Sequence, residues 1–266
     1  MDKGISRRDL LKWMGVGAGS LIAMNYAPHI EAIANLSKKV DPDAKSGIKY
    51  APPAIPGVKY GMAVDVNACI GCRKCAYACM TENNIGRDSG FLYIQLLAME
   101  KGTVDLEEAE WDYVEGAEPE KWYFPIQCQQ CDDPPCVQAC PVQATWKEPD
   151  GIVVIDYDKC IGCRYCMVAC PYYARHFNWK RPVVPKKEIN PDVPMKPISV
   201  VEKCTFCIHR VRKGQLTRCV EVCPVQARKF GNLNDPESPI SRFLETRRPF
   251  RLKEELGTKP KIWFVG

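Results

Sequence analysis

Residues 160–171 read CIGCRYCMVACP, a stretch in which four cysteines follow the order C-x2-C-x2-C-x3-C and a proline follows the last one. The same cysteine spacing occurs at residues 69–79 (CIGCRKCAYAC), and looser versions of it occur at residues 128–140 and 204–223. All 16 cysteines of the 266-residue chain fall into these groups of four. A motif that recurs in this way is an internal repeat, so we expect four copies of one structural unit.

The repeat extends beyond the cysteines, since Pro141–Ala144 (PVQA) recurs as Pro224–Ala227. A strand-like segment precedes each group, and we expect a short helix to follow with the third and fourth cysteines on one face. The predicted strands are residues 61–66, 122–126, 152–157 and 198–201. The sequence therefore predicts an α+β fold of four strand–cysteine loop–short helix units. Two such units resemble one bacterial-ferredoxin module, so we expect two pseudo-twofold modules.

This cysteine pattern is typical of iron–sulfur proteins. A cubane cluster takes one thiolate on each of four irons; the loop supplies three, and the fourth cysteine completes a neighbouring cluster. Two other interpretations stay open at this point. A disulfide framework gives no reason for the repeated spacing, and zinc suits paired C-x2-C motifs better than four closely spaced cysteines. His29, His176 and His209 lie outside every motif, and we interpret the last two as structural or surface residues near a cluster.

Three stretches carry a family resemblance: residues 160–179 (CIGCRYCMVACPYYARHFNW), 189–194 (INPDVP) and 200–207 (VVEKCTFC). They resemble the four-cluster ferredoxin subunits of membrane-associated respiratory complexes. This family includes the electron-transfer subunits of dimethyl sulfoxide, polysulfide, tetrathionate and formate-dependent nitrite reductases, and that of the sulfite-reduction-associated redox complex. The resemblance covers about residues 59–265 and implies four [4Fe–4S] clusters, with a [3Fe–4S] form of one cluster left open.

The family's ligation pattern implies that paired units exchange their fourth cysteines. The implied ligand sets, which we number 1 to 4, are Cys69, Cys72, Cys75 and Cys223; Cys204, Cys207, Cys219 and Cys79; Cys128, Cys131, Cys136 and Cys170; and Cys160, Cys163, Cys166 and Cys140. Met80 departs from the proline that follows the other three groups, which should affect the local helix end and not the ligation.

The resemblance also implies a function and partners. We expect a non-catalytic relay that passes single electrons between a quinone-handling integral-membrane subunit and a multihaem cytochrome c or a molybdopterin catalytic subunit. Sulfur or nitrogen compound reduction is the expected setting. An enzyme with its own substrate site would need an open iron, and no group lacks a cysteine. A zinc-stapled interaction module is the third hypothesis, and it predicts a colourless protein.

The first 34 residues resemble an export signal. Residues 6–12 (SRRDLLK) match a twin-arginine pattern, residues 13–24 are apolar, and residues 32–34 (AIA) form a small-residue site. An amphipathic helix is the alternative. Because the twin-arginine route moves folded proteins with their cofactors inside, it is compatible with metal-bound cysteines. We therefore expect a periplasmic or extracytoplasmic location, with the signal either cleaved or kept as an anchor.

Charge and hydropathy exclude some partners and mark two segments. The net charge is +5 without a basic, aromatic-interleaved stripe, so nucleic acid is not expected. No apolar run reaches the roughly eighteen residues of a membrane span.

An acidic insertion at residues 98–121 is either a solvated loop or a docking surface for a basic cytochrome. A basic tail at residues 242–266 ends in a predicted strand at 262–265, and Arg73 and Arg164 are candidates for raising reduction potentials.

These segments give a predicted domain order. It comprises a signal or anchor segment (1–34), a linker (35–58), module A (59–97 and 198–241), the acidic insertion (98–121), module B (122–197) and the basic tail (242–266). Module A would hold sets 1 and 2, and module B would hold sets 3 and 4.

Overall fold

The structure is a computed structural model that describes residues 48–111, 118 and 120–266. The predicted signal, most of the predicted linker and His29 lie outside these residues. The strands of the described part are β1 (Tyr60–Asp65), β2 (Gln95–Glu100), β3 (Lys121–Ile126), β4 (Thr145–Lys147), β5 (Val153–Ile155), β6 (His176–Phe177), β7 (Val201–Glu202), β8 (Arg228–Asn232) and β9 (Ile262–Val265). Its α-helices are α1 (Lys74–Glu82), α2 (Pro135–Gln138), α3 (Tyr165–Val168), α4 (Ile208–Val211), α5 (Arg218–Glu221) and α6 (Pro239–Glu245).

A strand precedes each cysteine group, as the repeat predicts. β1, β3 and β5 begin within one residue of the segments predicted for the first three groups. The fourth prediction, residues 198–201, is wrong in position, because β7 begins only at Val201. Ser199 has a φ of 65°, and a left-handed residue cannot continue an extended strand.

A short helix holds the third cysteine of each group: Cys75 in α1, Cys136 in α2, Cys166 in α3 and Cys219 in α5. α2, α3 and α5 have four residues each and end before the proline of their group, since a residue that precedes proline disfavours the helical region. α1 has Met80 instead and continues for nine residues. The prediction that the helix carries the fourth cysteine therefore holds only for Cys79. None of these helices in the described part is long and apolar enough to span a membrane.

The first unit, the fourth unit and the C-terminal segment meet in one sheet, whose strand order is β8-β1-β9. β8 is antiparallel to β1 and places Arg228 opposite Val64, whereas β9 is parallel and places Phe264 opposite Val64. Four apolar side chains of β1 are fully buried, because both faces of this central strand are covered: Tyr60, Met62, Ala63 and Val64. The strand predicted at residues 262–265 is confirmed as β9, and it packs on the body of the chain.

Three antiparallel pairs, β2–β3, β4–β5 and β6–β7, complete the sheets of the described part. β2 and β3 pair along their whole length, including the ends that adjoin the acidic insertion. The insertion predicted as residues 98–121 therefore begins within a strand, and its loop starts only after Glu100. Lys121 contacts Glu110 at 2.7 Å and Glu118 at 3.4 Å, so part of the acidic charge is paired at the base of the loop.

A buried ion network ties the fourth unit to the β4–β5 hairpin. Arg212, just after α4, donates from Nε to Asp150 at 2.7 Å and from Nη2 to Glu148 at 3.0 Å. Its Nη1 donates to the carbonyl oxygen of Pro52 at 2.7 Å. The side chains of Arg212 and Asp150 are 0% exposed, so removal of one partner leaves an unpaired charge away from water.

We expect Arg212→Leu to lower the melting temperature of the purified protein by roughly 10 °C, because two buried carboxylates lose their cation at a cost of about 3–5 kcal/mol. Circular dichroism during heating measures this change. The control is Arg242→Leu, which removes a pair with Glu237 in which the two side chains are 64% and 73% exposed. That variant should shift the melting temperature by only about 2 °C. Equal shifts in the two variants would contradict the role of the network.

Candidate metal centres

All sixteen cysteines lie in the described residues, and each one is a free thiol. The disulfide interpretation is therefore wrong for this structure. Within residues 48–111, 118 and 120–266, no three Cys, His, Asp or Glu side chains converge as one metal ion requires. A single zinc ion needs its four ligand atoms within about 2.3 Å of the metal. In a cubane the thiolates are farther apart, because each binds a different iron. Four thiols in each group are the donor set that a cubane cluster takes.

The four cysteine loops share one backbone feature. The residue before the second cysteine of each group has a positive φ: Gly71 at 67°, Gln130 at 49°, Gly162 at 69° and Phe206 at 52°. A left-handed residue at this point reverses the chain locally and curls each loop in the same way. At Gly162 a Cβ would lie 2.2 Å from the carbonyl oxygen of Ser199, so this loop has no space for a side chain. The common loop shape agrees with the sequence repeat.

Thiols of the first and fourth groups lie beside one another. The pKa of the Cys75 thiol is raised to about 12, mainly by burial and partly by the neighbouring Cys219, Cys69 and Cys223, although Arg228 lowers it. Burial likewise raises the pKa of Cys69, with contributions from Cys223. Helices α1 and α5 pack together, which brings the first and fourth groups close to each other across about 150 positions of sequence. The structure thus brings together cysteines that the family pattern places in sets 1 and 2.

Cys79 lies one helical turn after Cys75 in α1, among thiols of the fourth group. Burial raises its pKa well above the usual value, and Cys204, Cys207 and Cys219 add to this effect. The Nδ2 of Asn83 donates to the sulfur of Cys79 at 3.4 Å and to the sulfur of Cys207 at 3.8 Å. One amide therefore bridges a cysteine of the first unit and one of the fourth.

The second and third groups form a similar pair, with α2 packed against α3. Burial raises the pKa of Cys131 to about 12, and Cys128, Cys136 and Cys170 contribute to the increase. Burial raises the pKa of Cys166 as well, and Cys136 is among its neighbours. These contacts join thiols of sets 3 and 4.

Two cysteines of set 4, Cys140 and Cys163, lie near the surface. Cys140 is half-buried and its sulfur accepts a hydrogen bond from the backbone N–H of Ala144 at 3.2 Å. Cys163 is the exposed member of the sixteen. Several apolar side chains around its loop are exposed, namely Ile161, Tyr165, Val168 and Trp179, and so is the neighbouring Arg164. Set 4 therefore reaches the protein surface, unlike the thiols in the interior.

The two pairs of groups meet at Cys204. Its pKa is raised by burial first and then by Cys128 of the second group. Gln130 spans this junction, because its Nε2 donates to the carbonyl oxygen of Cys204 at 2.8 Å and its Oε1 accepts from the N–H of Val153 at 2.7 Å. Lys203 donates to the same two backbone segments through the carbonyl oxygens of Cys204 and Val153. Sets 2 and 3 are thus held side by side.

Two buried arginines that were not predicted from the sequence lie beside the cysteines. Arg175 donates from Nη2 to the sulfur of Cys136 at 3.1 Å, and Arg228 faces several thiols of sets 1 and 2. Arg73 and Arg164, which are the candidates from the sequence for raising reduction potentials, have other contacts. Arg164 lies 4.8 Å from the ring centre of Trp179, and Arg73 donates to the carbonyl oxygen of Trp111.

The described histidines are buried, so their interpretation as surface residues is wrong. His176 stacks on Phe91 with ring centres 4.5 Å apart, and burial lowers its pKa to about 4. His209 lies 2.8 Å from a carboxylate oxygen of Glu82 through its Nε2. Both therefore have structural contacts, as the sequence analysis proposed.

Comparison with known proteins now identifies the fold. Two family models, both described as 4Fe-4S dicluster domain, match residues 120–192 and residues 159–231. A Halobacterium salinarum protein named as a dimethyl sulfoxide reductase iron–sulfur subunit is 44% identical, over 78% of this chain and 79% of its own length. A selenate reductase subunit of Mesobacillus selenatarsenatis is 34% identical over 99% of this chain and 98% of its own length. The Hdr-like menaquinol oxidoreductase iron-sulfur subunit 1 of Archaeoglobus fulgidus is 39% identical over 78% of this chain and 83% of its own length.

The chain belongs to this family of iron–sulfur subunits. Its cysteines bind four [4Fe–4S] clusters, as the sequence predicted, and it is an electron-transfer subunit of an oxidoreductase complex. Each family model spans two consecutive cysteine groups. In the structure, however, the fourth group packs against the first, because β8 pairs with β1. Spatial pairing of the units thus differs from their order in the sequence.

We expect Gly162→Ala to lose about four of about sixteen irons, because the new Cβ collides with the Ser199 backbone and displaces the loop of set 4. Iron and acid-labile sulfide analysis of anaerobically purified protein measures this loss. The matched control is Gly57→Ala, whose φ of 74° imposes similar strain but whose Cβ would meet nothing within 4 Å. A full complement of iron in the Gly162 variant would contradict the prediction.

Proposed function

We propose that this chain is a non-catalytic relay whose four thiol sets form a line, in the order 1, 2, 3, 4. The contacts between sets support this order. Cys75 of set 1 neighbours Cys219 of set 2, and Cys204 of set 2 neighbours Cys128 of set 3. Cys136 of set 3 in turn neighbours Cys166 of set 4. This continuous chain of neighbouring thiols is the observation on which the proposal depends.

The ligand sets are those that the family pattern implies, with fourth cysteines exchanged between units. Cys223 beside Cys69 and Cys75 supports set 1, and Cys79 beside Cys204 and Cys207 supports set 2. The neighbours of Cys131 support set 3, because they include Cys170 of the following group. For set 4 the support is the packing of α2, which ends two residues before Cys140, on α3 of the third unit.

We infer two pseudo-twofold modules from these pairings. Module A comprises residues 59–97 and 198–241, and module B comprises residues 122–197. The β1–β8 pairing supports module A, and the β4–β5 pairing supports module B. The basic tail contributes β9 to the sheet of module A, so it acts as part of that module.

The bound clusters supply one-electron transfer. The protein's residues keep the sets adjacent, exclude water from most thiols and leave set 4 exposed at one end. Since tunnelling falls steeply with distance, the exposed loop of Cys163 is the point where a partner's redox centre comes close. The apolar side chains around it suit a permanent subunit interface, whose core is depleted of charge.

We propose a quinone-interacting integral-membrane subunit as one partner and a multihaem cytochrome c or a molybdopterin subunit as the other. The reductase names of the relatives, and the menaquinol in one of them, support this assignment. The twin-arginine pattern of residues 6–12 supports a periplasmic or extracytoplasmic location. The acidic loop stays a docking hypothesis for a basic cytochrome.

Anaerobically purified protein is expected to contain about sixteen irons and about sixteen sulfides per chain, since each of four cubanes holds four of each.

The exchange of fourth cysteines makes a sharper prediction. Cys79→Ser should alter the same electron paramagnetic resonance signal as Cys204→Ser, and a different signal from Cys69→Ser. Iron near zero in the wild type would refute the relay, and one signal altered by both Cys79→Ser and Cys69→Ser would refute the ligand sets alone.

We expect Val168→Glu to weaken binding to the neighbouring redox subunit about tenfold, or about 1.4 kcal/mol, because a charge enters an apolar contact. Val168 is 88% exposed, so the change should leave the fold and the iron content intact. Co-purification with the native membrane complex and the rate of quinol-driven cluster reduction measure the effect. Leu256→Glu, at another exposed apolar residue, is the control, and equal behaviour of the two variants would count against this interface.

A further inference from the structure

Two arginines occupy the same place in the sequence repeat. Residues 170–175 read CPYYAR and residues 223–228 read CPVQAR, so an arginine stands five residues after the last cysteine of the third and fourth groups. The other two groups have Thr145 and Asn84 at this place. Each proposed module therefore contains one such arginine, contributed by the second of its two units.

Both arginines are buried, Arg175 just before β6 and Arg228 as the first residue of β8, with exposed fractions of 3% and 2%. In each of them the Nε and Nη1 donors have no hydrogen-bond partner in the protein. Only Nη2 is bonded. In Arg175 it donates to Cys136 and Thr145, and in Arg228 it donates to Met62 and the side chain of Gln127. The same donor atoms are thus unpaired in both copies.

Arg228 faces the thiols of two sets at once. Burial by itself lowers its pKa, but Cys219 of set 2 and Cys75, Cys223 and Cys69 of set 1 together raise it above the usual value. No carboxylate of the described residues lies within ion-pair distance of it. Among the residues that the structure describes, the negative groups available to this cation are therefore cysteine thiolates.

Arg175 has the same kind of surroundings in the other module. Burial lowers its pKa, and Cys136, Cys166 and Cys128 outweigh that effect and raise it. These neighbours belong to set 3 and set 4. Each arginine therefore lies close to thiols of both sets of its own module.

A buried cation without a counter-charge costs several kcal/mol, so it persists only beside a negative partner. Four thiolates on a cubane supply that partner, and reduction adds one more negative charge to it. A nearby cation stabilises the reduced form more than the oxidised form for this reason. Arginine suits the position because its planar fork carries five donors and can serve two neighbours at once.

We propose that Arg175 and Arg228 are positioning residues for electron transfer, each raising the reduction potentials of both clusters in its module through its unpaired donors. This inference rests on the proposed relay and its ligand sets. The shared charge favours the reduced state of both neighbouring clusters, so the two potentials of a module shift in the same direction.

The test is a redox titration, followed by electron paramagnetic resonance, of the full chain in its native complex. In Arg228→Gln the clusters of sets 1 and 2 should become about tenfold harder to reduce, which is 59 mV for a one-electron couple. Sets 3 and 4 should keep their potentials. Arg175→Gln should give the reverse pattern, and Arg228→Lys and Arg175→Lys should restore most of the shift because they keep the charge.

Iron analysis accompanies each titration, and Arg242→Gln at an exposed ion pair is the control, with unchanged potentials. A fully loaded Gln variant with no shift, or with equal shifts in all four clusters, overturns the inference and leaves the relay standing. If a Gln variant does not bind its clusters, the corresponding Lys variant provides the test. Full iron content with near-wild-type potentials in the Lys variant supports the role. Loss of iron in both the Gln and the Lys variant overturns it. Absence of clusters from the wild type would instead refute the relay itself.

Discussion

The fold depends on one constraint, which is that thiols from distant parts of the chain have to meet in a buried space. Cys75 lies beside Cys219 and Cys223, although about 150 residues separate them. The pairing of β1 with β8 and the packing of α1 on α5 make this contact possible. With helices this short and strands of two to six residues, secondary structure alone stabilises little. The cluster sites are therefore part of what holds the protein together, as in other small metal-bound domains.

Burial of so many thiols creates an electrostatic problem that the chain solves with buried cations. Arg228 and Arg175 lie among the cysteines, and Lys203 lies at the junction of the two pairs of units. Away from the thiols, Arg212 is paired with carboxylates instead. In a medium of low dielectric constant, each charge needs a partner close by. The arrangement of charges therefore follows the arrangement of thiols, and it links stability to redox behaviour.

The exposure of the thiols changes along the proposed line. Sets 2 and 3 lie at the centre, where Cys204 and Cys128 are buried, whereas Cys163 of set 4 is exposed. A relay needs such a gradient, because interior clusters must be shielded from water while a terminal cluster must approach its partner. The apolar surroundings of Cys163 make its loop suited to contact with another protein.

The sequence by itself determined the cofactor, the four units and the loop shape, because a cysteine spacing such as that of residues 160–170 is a local property of the chain. It also indicated the strand at residues 262–265. The resemblance to a known family implied which units pair, and only the tertiary structure decided that the final strand joins β1. It likewise decided that His176 and His209 are buried and that Arg228, rather than Arg73, faces the thiols. Contacts between residues more than a hundred positions apart leave no periodic signal, since they arise from packing of the whole chain.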